Sequence, residues 1–155
     1  MGVSGAGKTL VGRMLAQTLD WEFLDADDFH PSANIQKMTS GVPLEPEDRV
    51  AWLEAMRAAL LELDRDAANA VLACSALRQS FRDRLREGFA DMRFVYLKAG
   101  RDLIRARVAA RRDHFMPASL VDSQFETLEE PTDAIVVDAS KPPPEIVAEI
   151  LRALR

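Results

Sequence analysis

The chain alternates short apolar runs with longer stretches in which apolar residues recur every three or four positions. The short runs predict strands at residues 21–25, 70–74, 92–97 and 134–137. The longer stretches predict helices at residues 8–19, 31–40, 46–66, 80–87, 102–112, 118–128 and 144–154. Apolar strands that alternate with helices are typical of a parallel sheet covered on both faces. We therefore predict an α/β fold of three layers, in one domain spanning residues 1–155.

Composition narrows the class of protein. A net charge of −5, with no basic run along one face, argues against a nucleic-acid partner. The apolar runs are too short to span a bilayer, so the sequence predicts no membrane segment. The single cysteine, Cys74, excludes an internal disulfide and suits the reducing cytoplasm.

The strongest chemical signal is the glycine-rich stretch that begins at the second residue. It reads Gly-Val-Ser-Gly-Ala-Gly-Lys-Thr and fits the phosphate-binding pattern G-x-x-x-x-G-K-[ST]. In such loops backbone N–H groups surround phosphate oxygens, the lysine adds a positive charge and the Thr hydroxyl reaches Mg²⁺. We therefore predict nucleotide binding with Mg²⁺. The predicted phosphate-binding residues are Gly2, Val3, Ser4, Gly5, Ala6, Gly7, Lys8 and Thr9.

Two carboxylates follow the first predicted strand, where ligands of open parallel sheets bind. Asp25 and Asp27 are one residue apart, so one can orient a hydrated Mg²⁺ while the other meets a substrate hydroxyl. A solvated acidic turn that includes Asp28 is the alternative.

Cationic residues farther along are candidates for binding a carboxylate. Lys37 and Arg49 lie between helices, and the planar guanidinium of arginine can bind two oxygens at once. Either could equally be a surface charge. After the second strand, residues 74–78 combine small side chains with Arg78, so backbone can approach a ligand there. Cys74 itself fits a small buried apolar residue better than a nucleophile.

Arg107 and Arg111 are four residues apart and share one face of a predicted helix. Because like charges at this spacing repel, a polyphosphate is a suitable partner, and an arginine there can stabilise a transferring phosphoryl group. Residues 113–124 then predict a lid that closes over the site and excludes water. A solvated helix face is the alternative.

Several blocks of the sequence resemble the thermoresistant-type gluconokinases, in the group of P-loop kinases related to shikimate and adenylate kinases. The resemblance covers nearly the whole chain. Its blocks are residues 1–9, 23–27 with 30–31, 34–35 with 37–38, 41–44 with 48–49 and Trp52, 74–77, 114–115 and 124–131.

The resemblance implies ATP-dependent phosphorylation of the 6-hydroxyl of D-gluconate, with Mg²⁺, by a homodimer. By position, Lys8, Asp27 and Arg111 would be catalytic, with Asp27 the best candidate for the base. Thr9 and Asp25 would support the metal, and Arg107 and Arg111 would bind phosphates. The gluconate pocket would be formed by Asp27, His30, Lys37, Arg49, Ser75 and Arg78.

The resemblance also implies a sheet of order 2-3-1-4-5, whose central first strand precedes the phosphate loop. The loop here begins at the second residue, so the sequence predicts that this strand is missing from the chain. Two alternatives to gluconate phosphorylation stay open, and only the second rests on the missing strand. One is a P-loop kinase of another small hydroxy acid, such as shikimate; the other is an N-terminally truncated, inactive protein that binds ligand without turnover.

Overall fold

The computed structural model of the chain describes residues 1–40, 42, 44–110 and 118–155. Within these residues the strands are β1 (Glu22–Asp25), β2 (Ala70–Ala73), β3 (Val95–Lys98) and β4 (Ile135–Asp138). The α-helices are α1 (Lys8–Leu19), α2 (Ser32–Thr39), α3 (Pro46–Arg65), α4 (Gln79–Arg86), α5 (Arg101–Ala109), α6 (Ala118–Thr127) and α7 (Pro143–Leu154). Every predicted strand and helix is therefore present, with ends that shift by up to three residues.

Two details differ from the sequence prediction. A 3₁₀ turn, Ala26–Phe29, follows β1, and the side chain of Asp25 caps it by accepting a hydrogen bond from the N–H of Asp27. Strand β3 begins at Val95 and not at residue 92, since its backbone bonding to β4 starts where the N–H of Ile135 donates to the carbonyl of Phe94 at 2.9 Å; the apolar side chains of Met92 and Phe94 pack in a core cluster. Apolar character alone therefore did not mark the start of pairing.

The strands form two parallel pairs that the start of the chain connects. β1 pairs with β2 from Glu22 opposite Ala70, and β3 pairs with β4 from Val95 opposite Ile135. Between the pairs, the N–H of Gly2 donates to the carbonyl of Ser75 at 3.1 Å, and the N–H of Leu97 donates to the carbonyl of Met1 at 3.0 Å. The strands after the phosphate loop thus have the neighbours that the predicted order gives them, while the missing central strand stays a prediction.

A cleft of about 500 Å³ lies beyond Met1, toward the amino ends of β2 and β3. Apolar side chains from both halves of the fold line much of it, among them Leu15, Leu63 and Leu72. Among the described residues no backbone hydrogen bond joins β2 to β3 across this cleft. Within the described part of the chain, the backbone bonds between the two halves of the sheet lie at the end where Met1 and Gly2 are.

Consecutive strand residues enter different cores, which confirms the three-layer arrangement. Val71 packs with the cluster built mainly from α1, α5 and α7, whereas Leu72 packs with the cluster that holds α3 and α4. Because side chains alternate across a sheet, the two helical layers lie on opposite faces. Within the described residues no helix is long and apolar enough to cross a membrane.

Candidate active site

The phosphate loop connects Met1 to helix α1 at the carboxyl end of the sheet. Gly7 precedes the helix with φ of 96°, a left-handed conformation that favours glycine, and a Cβ built there would meet nothing within 4 Å. Gly2 has φ of 139°, and its Cβ would lie 2.9 Å from the carbonyl oxygen of Leu97. The loop is therefore packed against the sheet at its start and open where α1 begins, as a phosphate cradle requires.

Lys8 and helix α5 border this cradle. The Nζ of Lys8 donates to the carbonyl of Val3 at 3.1 Å, so the ammonium lies across the loop. A Cβ at Gly5 would approach the Cγ2 of Val108 to 3.1 Å, which shows that α5 packs directly on the loop. Arg107 is half-buried, one residue before that contact. Arg111 and the first part of the predicted lid, residues 113–117, lie outside the described residues.

One carboxylate connects the loop to the acidic turn. The hydroxyl of Thr9 donates to Oδ2 of Asp25 at 2.8 Å, while Oδ1 of the same side chain accepts from the N–H of Asp27 at 3.2 Å. Asp27 is exposed at the rim of the site. The structure thus brings the two predicted metal-site residues into contact and fixes the predicted base beside them.

These residues suit a Mg²⁺ ion that is shared with a phosphate. Hydroxyl and carboxylate oxygens are ligands that Mg²⁺ prefers, and the ion commonly takes one or two protein ligands together with substrate phosphates and water. Within the described residues no group of three or more His, Cys, Asp or Glu side chains is arranged to hold a metal ion alone. Thr9 and Asp25 would therefore hold the ion jointly with the nucleotide.

The acidic turn is supported from behind by aromatic side chains. Nε1 of Trp52 donates to the carbonyl of Ala26 at 2.6 Å, and the Trp52 ring stacks on His30 with centroids 4.6 Å apart. Burial lowers the pKa of His30, and the charge of Asp27 partly opposes this effect. The sequence assigned no role to Trp52, although it stood in one of the blocks that carried the resemblance.

The predicted carboxylate-binding cations differ in their surroundings. Lys37 donates to both oxygens of Asp48, at 2.7 and 2.8 Å, and this hydrogen bonding lowers the pKa of Asp48. The side chain of Arg49 is exposed beside that pair. Lys37 therefore shares its charge with a carboxylate of the protein, a partner that the sequence analysis did not anticipate.

The β2–α4 turn is held by a buried arginine. Arg82 is 1% exposed, and its Nη1 donates to the carbonyls of Ala76 at 2.8 Å and Leu77 at 3.0 Å. Ala76 has φ of 44°, a conformation that costs energy for a residue with a Cβ. The sequence pattern gave no sign that Arg82 is buried, since arginine on an amphipathic helix is ordinarily exposed.

The other predicted residues of this turn lie around Arg82. Ser75 contributes its carbonyl to the bond with Gly2, and Arg78 is exposed just before α4. Cys74 is buried as predicted, and burial raises its pKa to about 11, so the thiol stays protonated.

Comparisons with known proteins agree with this geometry. The sequence model of the shikimate kinase family matches residues 4–155. The thermoresistant gluconokinase of Escherichia coli K12 is 42% identical, over 100% of this chain and 91% of that protein. The gluconokinase of Gluconobacter oxydans is also 42% identical, over 98% of this chain and 87% of that protein.

Solved structures lead to the same family. The crystal structure of a gluconokinase from Sinorhizobium meliloti 1021 has a TM-score of 0.87 and 40% identity, and the match covers 99% of this chain and 88% of that one. The shikimate kinase of Aquifex aeolicus matches with a TM-score of 0.62 and 20% identity, over 99% of this chain and 92% of that one, which shows the shared fold. This chain therefore belongs to the gluconokinases, within the shikimate kinase group of P-loop kinases.

Proposed function

We propose that this protein transfers the terminal phosphoryl group of ATP to the 6-hydroxyl of D-gluconate, giving 6-phospho-D-gluconate and ADP. Its full-length likeness to proteins named gluconokinases supports the choice of acceptor. The observation that carries the mechanism is the Asp25 carboxylate, which binds the hydroxyl of Thr9 and the N–H of Asp27 at once. The same carboxylate thereby contacts the other candidate metal ligand, Thr9, and holds the backbone of the candidate base, Asp27.

The residues divide the work as phosphoryl transfer requires. When bound, Mg²⁺ offsets charge on the phosphates. The N–H groups of Gly2, Ser4 and Ala6 bond within the protein and shape the loop of residues 2–9. The other N–H groups of this loop orient the polyphosphate, and Lys8 supplies a fixed positive charge beside it. Asp27 accepts the proton of the attacking hydroxyl. Arg107 and Arg111 bind phosphate oxygens from the side of α5, and Arg111 stabilises the group in transit.

We assign the gluconate pocket to Asp27, His30, Lys37, Arg49, Ser75 and Arg78. Arg49 is exposed and suits the carboxylate of the acceptor, whereas Lys37 is bound by Asp48 and suits a hydroxyl. Stacking on Trp52 fixes the ring of His30, and burial lowers its pKa and so favours a neutral imidazole. A neutral imidazole can accept a hydrogen bond from a sugar hydroxyl or donate one to it.

The test is turnover of the purified protein on a panel of sugar acids, with ADP release coupled to a chromogenic reaction. Asp27→Asn should lower kcat by about 10²-fold or more, with little change in the KM for ATP, because the base is lost while the nucleotide contacts stay. Asp28→Asn, at the neighbouring exposed carboxylate, is the matched control and should keep normal rates.

Other outcomes would overturn specific parts of the proposal. Phosphorylation of shikimate without phosphorylation of gluconate would exclude gluconate as the acceptor. Nucleotide binding without turnover on any acceptor would favour the inactive alternative. An unchanged kcat in Asp27→Asn would assign the base to another residue.

We further infer a single kinase domain with a lid over residues 113–124, acting as a homodimer in the cytoplasm. The protonated, buried thiol of Cys74 suits a reducing compartment such as the cytoplasm. The cytoplasm also supplies the ATP that the proposed reaction needs. Light scattering coupled to size-exclusion chromatography measures the oligomeric state; a monomeric mass would contradict the homodimer.

A further inference from the structure

Residues 124–130, at the end of helix α6, connect parts of the site that are far apart in the sequence. We call them the 124–130 segment. The sequence analysis singled out this stretch as part of a family block, and the mechanism above gives it no role except that Gln124 is the last residue of the proposed lid. It contacts the phosphate loop at one end and the β2–α4 turn at the other.

The first contact joins the segment to the phosphate loop. The N–H of Ser4 donates to Oε1 of Gln124 at 2.6 Å. Because Ser4 supplies a donor, the amide oxygen of Gln124 and not its nitrogen must face the loop. The two residues are 120 positions apart, so this bond fixes the loop relative to helix α6.

The second set of contacts joins the segment to the acceptor side. The N–H of Glu129 donates to the carbonyl of Leu77 at 2.9 Å, and its carbonyl accepts from Nη2 of Arg82 at 2.9 Å. The carboxylate of Glu129 accepts from the N–H of Gln79, where helix α4 begins. One residue therefore holds three points of the turn that carries Ser75 and Arg78.

A rigid piece of chain separates these two sets of contacts. Gln124 still lies in helix α6, and Glu129 follows the helix end by two residues. Phe125 and Leu128 between them pack into the core, and the guanidinium of Arg101 lies 5.1 Å from the centre of the Phe125 ring. The segment cannot shift at one end without disturbing the other.

We propose that Gln124 and Glu129 are positioning residues that set the distance between the nucleotide cradle and the acceptor-side turn. The inference rests on the proposed function, because in-line phosphoryl transfer needs its two substrates aligned to within about 1 Å. The segment supplies this alignment through its bonds to the phosphate loop and to the β2–α4 turn.

The test compares Gln124→Leu, Glu129→Ala and the double variant with Glu126→Gln, an exposed control on the same helix. Gln124→Leu should lower kcat per folded molecule by about tenfold or more, because the substrates bind but lie out of line. Glu129→Ala should lower kcat less, since the backbone contacts of residue 129 remain. Glu129→Gln keeps an acceptor for Gln79 and should restore normal kcat.

The double variant separates positioning from simple stabilisation. If both residues act on one spacing, the double variant should have nearly the kcat of Gln124→Leu alone. Losses that multiply would mean two independent roles and would overturn the proposal. An unchanged kcat per folded molecule, with only a lower Tm, would assign both residues to folding alone.

Hydrogen exchange gives a readout that needs no turnover. Addition of Mg-ATP should slow exchange of the Gln79 amide in the wild type and in Glu126→Gln, and should leave it unchanged in Gln124→Leu. Equal slowing in all three proteins would contradict the coupling. Absence of gluconate turnover in the wild type would defeat the proposed function instead, while the exchange result would still decide whether the loop and the turn are coupled.

Discussion

The space between β2 and β3 is closed by backbone hydrogen bonds at one end and is an open cleft at the other. At the carboxyl end the backbone of Met1 and Gly2 bonds to Leu97 on one side and Ser75 on the other. At the amino end the strands flank an apolar cleft of about 500 Å³. The candidate chemistry is concentrated at the bonded end, and the gap in the core lies at the other. Changes at the two ends should therefore affect different properties, namely turnover at the first and stability at the second.

The largest effect is expected from removing the fixed charge of the cradle. Lys8→Met keeps the length of the side chain but removes the ammonium, so kcat should fall by about 10²-fold or more. The hydrogen bond from Nζ of Lys8 to the carbonyl of Val3 contributes about 1 kcal/mol to the free energy of unfolding, so stability should change little compared with turnover. Coupled assays and urea titrations measure the two quantities. Near-normal turnover would remove Lys8 from the mechanism.

A change at the cleft should alter stability, in contrast to the change in turnover expected at Lys8. Six apolar, β-branched residues fused ahead of Met1 can extend between β2 and β3, pair with their backbones and cover side chains such as Leu15 and Leu72. We expect the free energy of unfolding to rise by about 3 kcal/mol or more, from buried apolar area and new backbone hydrogen bonds.

A Gly-Ser extension of equal length is the matched control for this change. It adds the same number of residues but little apolar area. At pH 9, where the Met1 amine is largely unprotonated in both the folded and the unfolded chain, it should leave the unfolding midpoint in urea close to that of the 155-residue chain. Equal midpoints for the two extensions would show that the cleft does not accept a strand.

The pH dependence of stability is the smallest of these effects when it is measured per pH unit. In the 155-residue chain, burial lowers the pKa of the Met1 amine from 8.0 to about 5, and the charge of Lys8 adds to this effect. Between these values the unfolded chain binds a proton that the folded chain does not. Stability is therefore highest above pH 8 and should fall by up to about 1.4 kcal/mol per pH unit as the pH drops toward 5.

The Gly-Ser extension converts this amine into an amide and should flatten the slope. His30 contributes a slope of the same sign in both proteins, because burial lowers its pKa as well. Urea titrations at several pH values measure the difference. Parallel pH profiles would show that the amine keeps its ordinary pKa in the folded chain.

Sequence patterns predicted an element well where neighbouring residues mark both of its ends. Helix α1 has both predicted ends, Lys8 and Leu19, because the glycine pattern marks its start and the apolar stripe marks its length. The start of β3 was misplaced, since Met92 and Phe94 are apolar and pack in a core cluster while the strand begins only at Val95. Pairing depends on a neighbouring strand that the local sequence does not contain.

The sequence predicted which residues form the candidate site better than it predicted which side chains those residues bond to. Asp25 beside Thr9 was expected from the motif and the strand end, and the structure puts them 2.8 Å apart. The pairing of Lys37 with Asp48 was not expected, because it depends on how α2 lies against α3. Arg111 and the beginning of the lid stay predictions.

The sequence by itself determined the phosphate loop, the alternation of strands and helices and the family of the chain, since each is written in adjacent residues or in their spacing. Only the tertiary structure decided that Gln124 binds Ser4 and that Arg82 is buried under the β2–α4 turn. The first contact joins residues that are 120 positions apart in the sequence, and the burial of Arg82 replaces water around its charge with carbonyl oxygens of the protein. The free energy of these contacts depends on the packing of whole elements, and no local pattern encodes that packing.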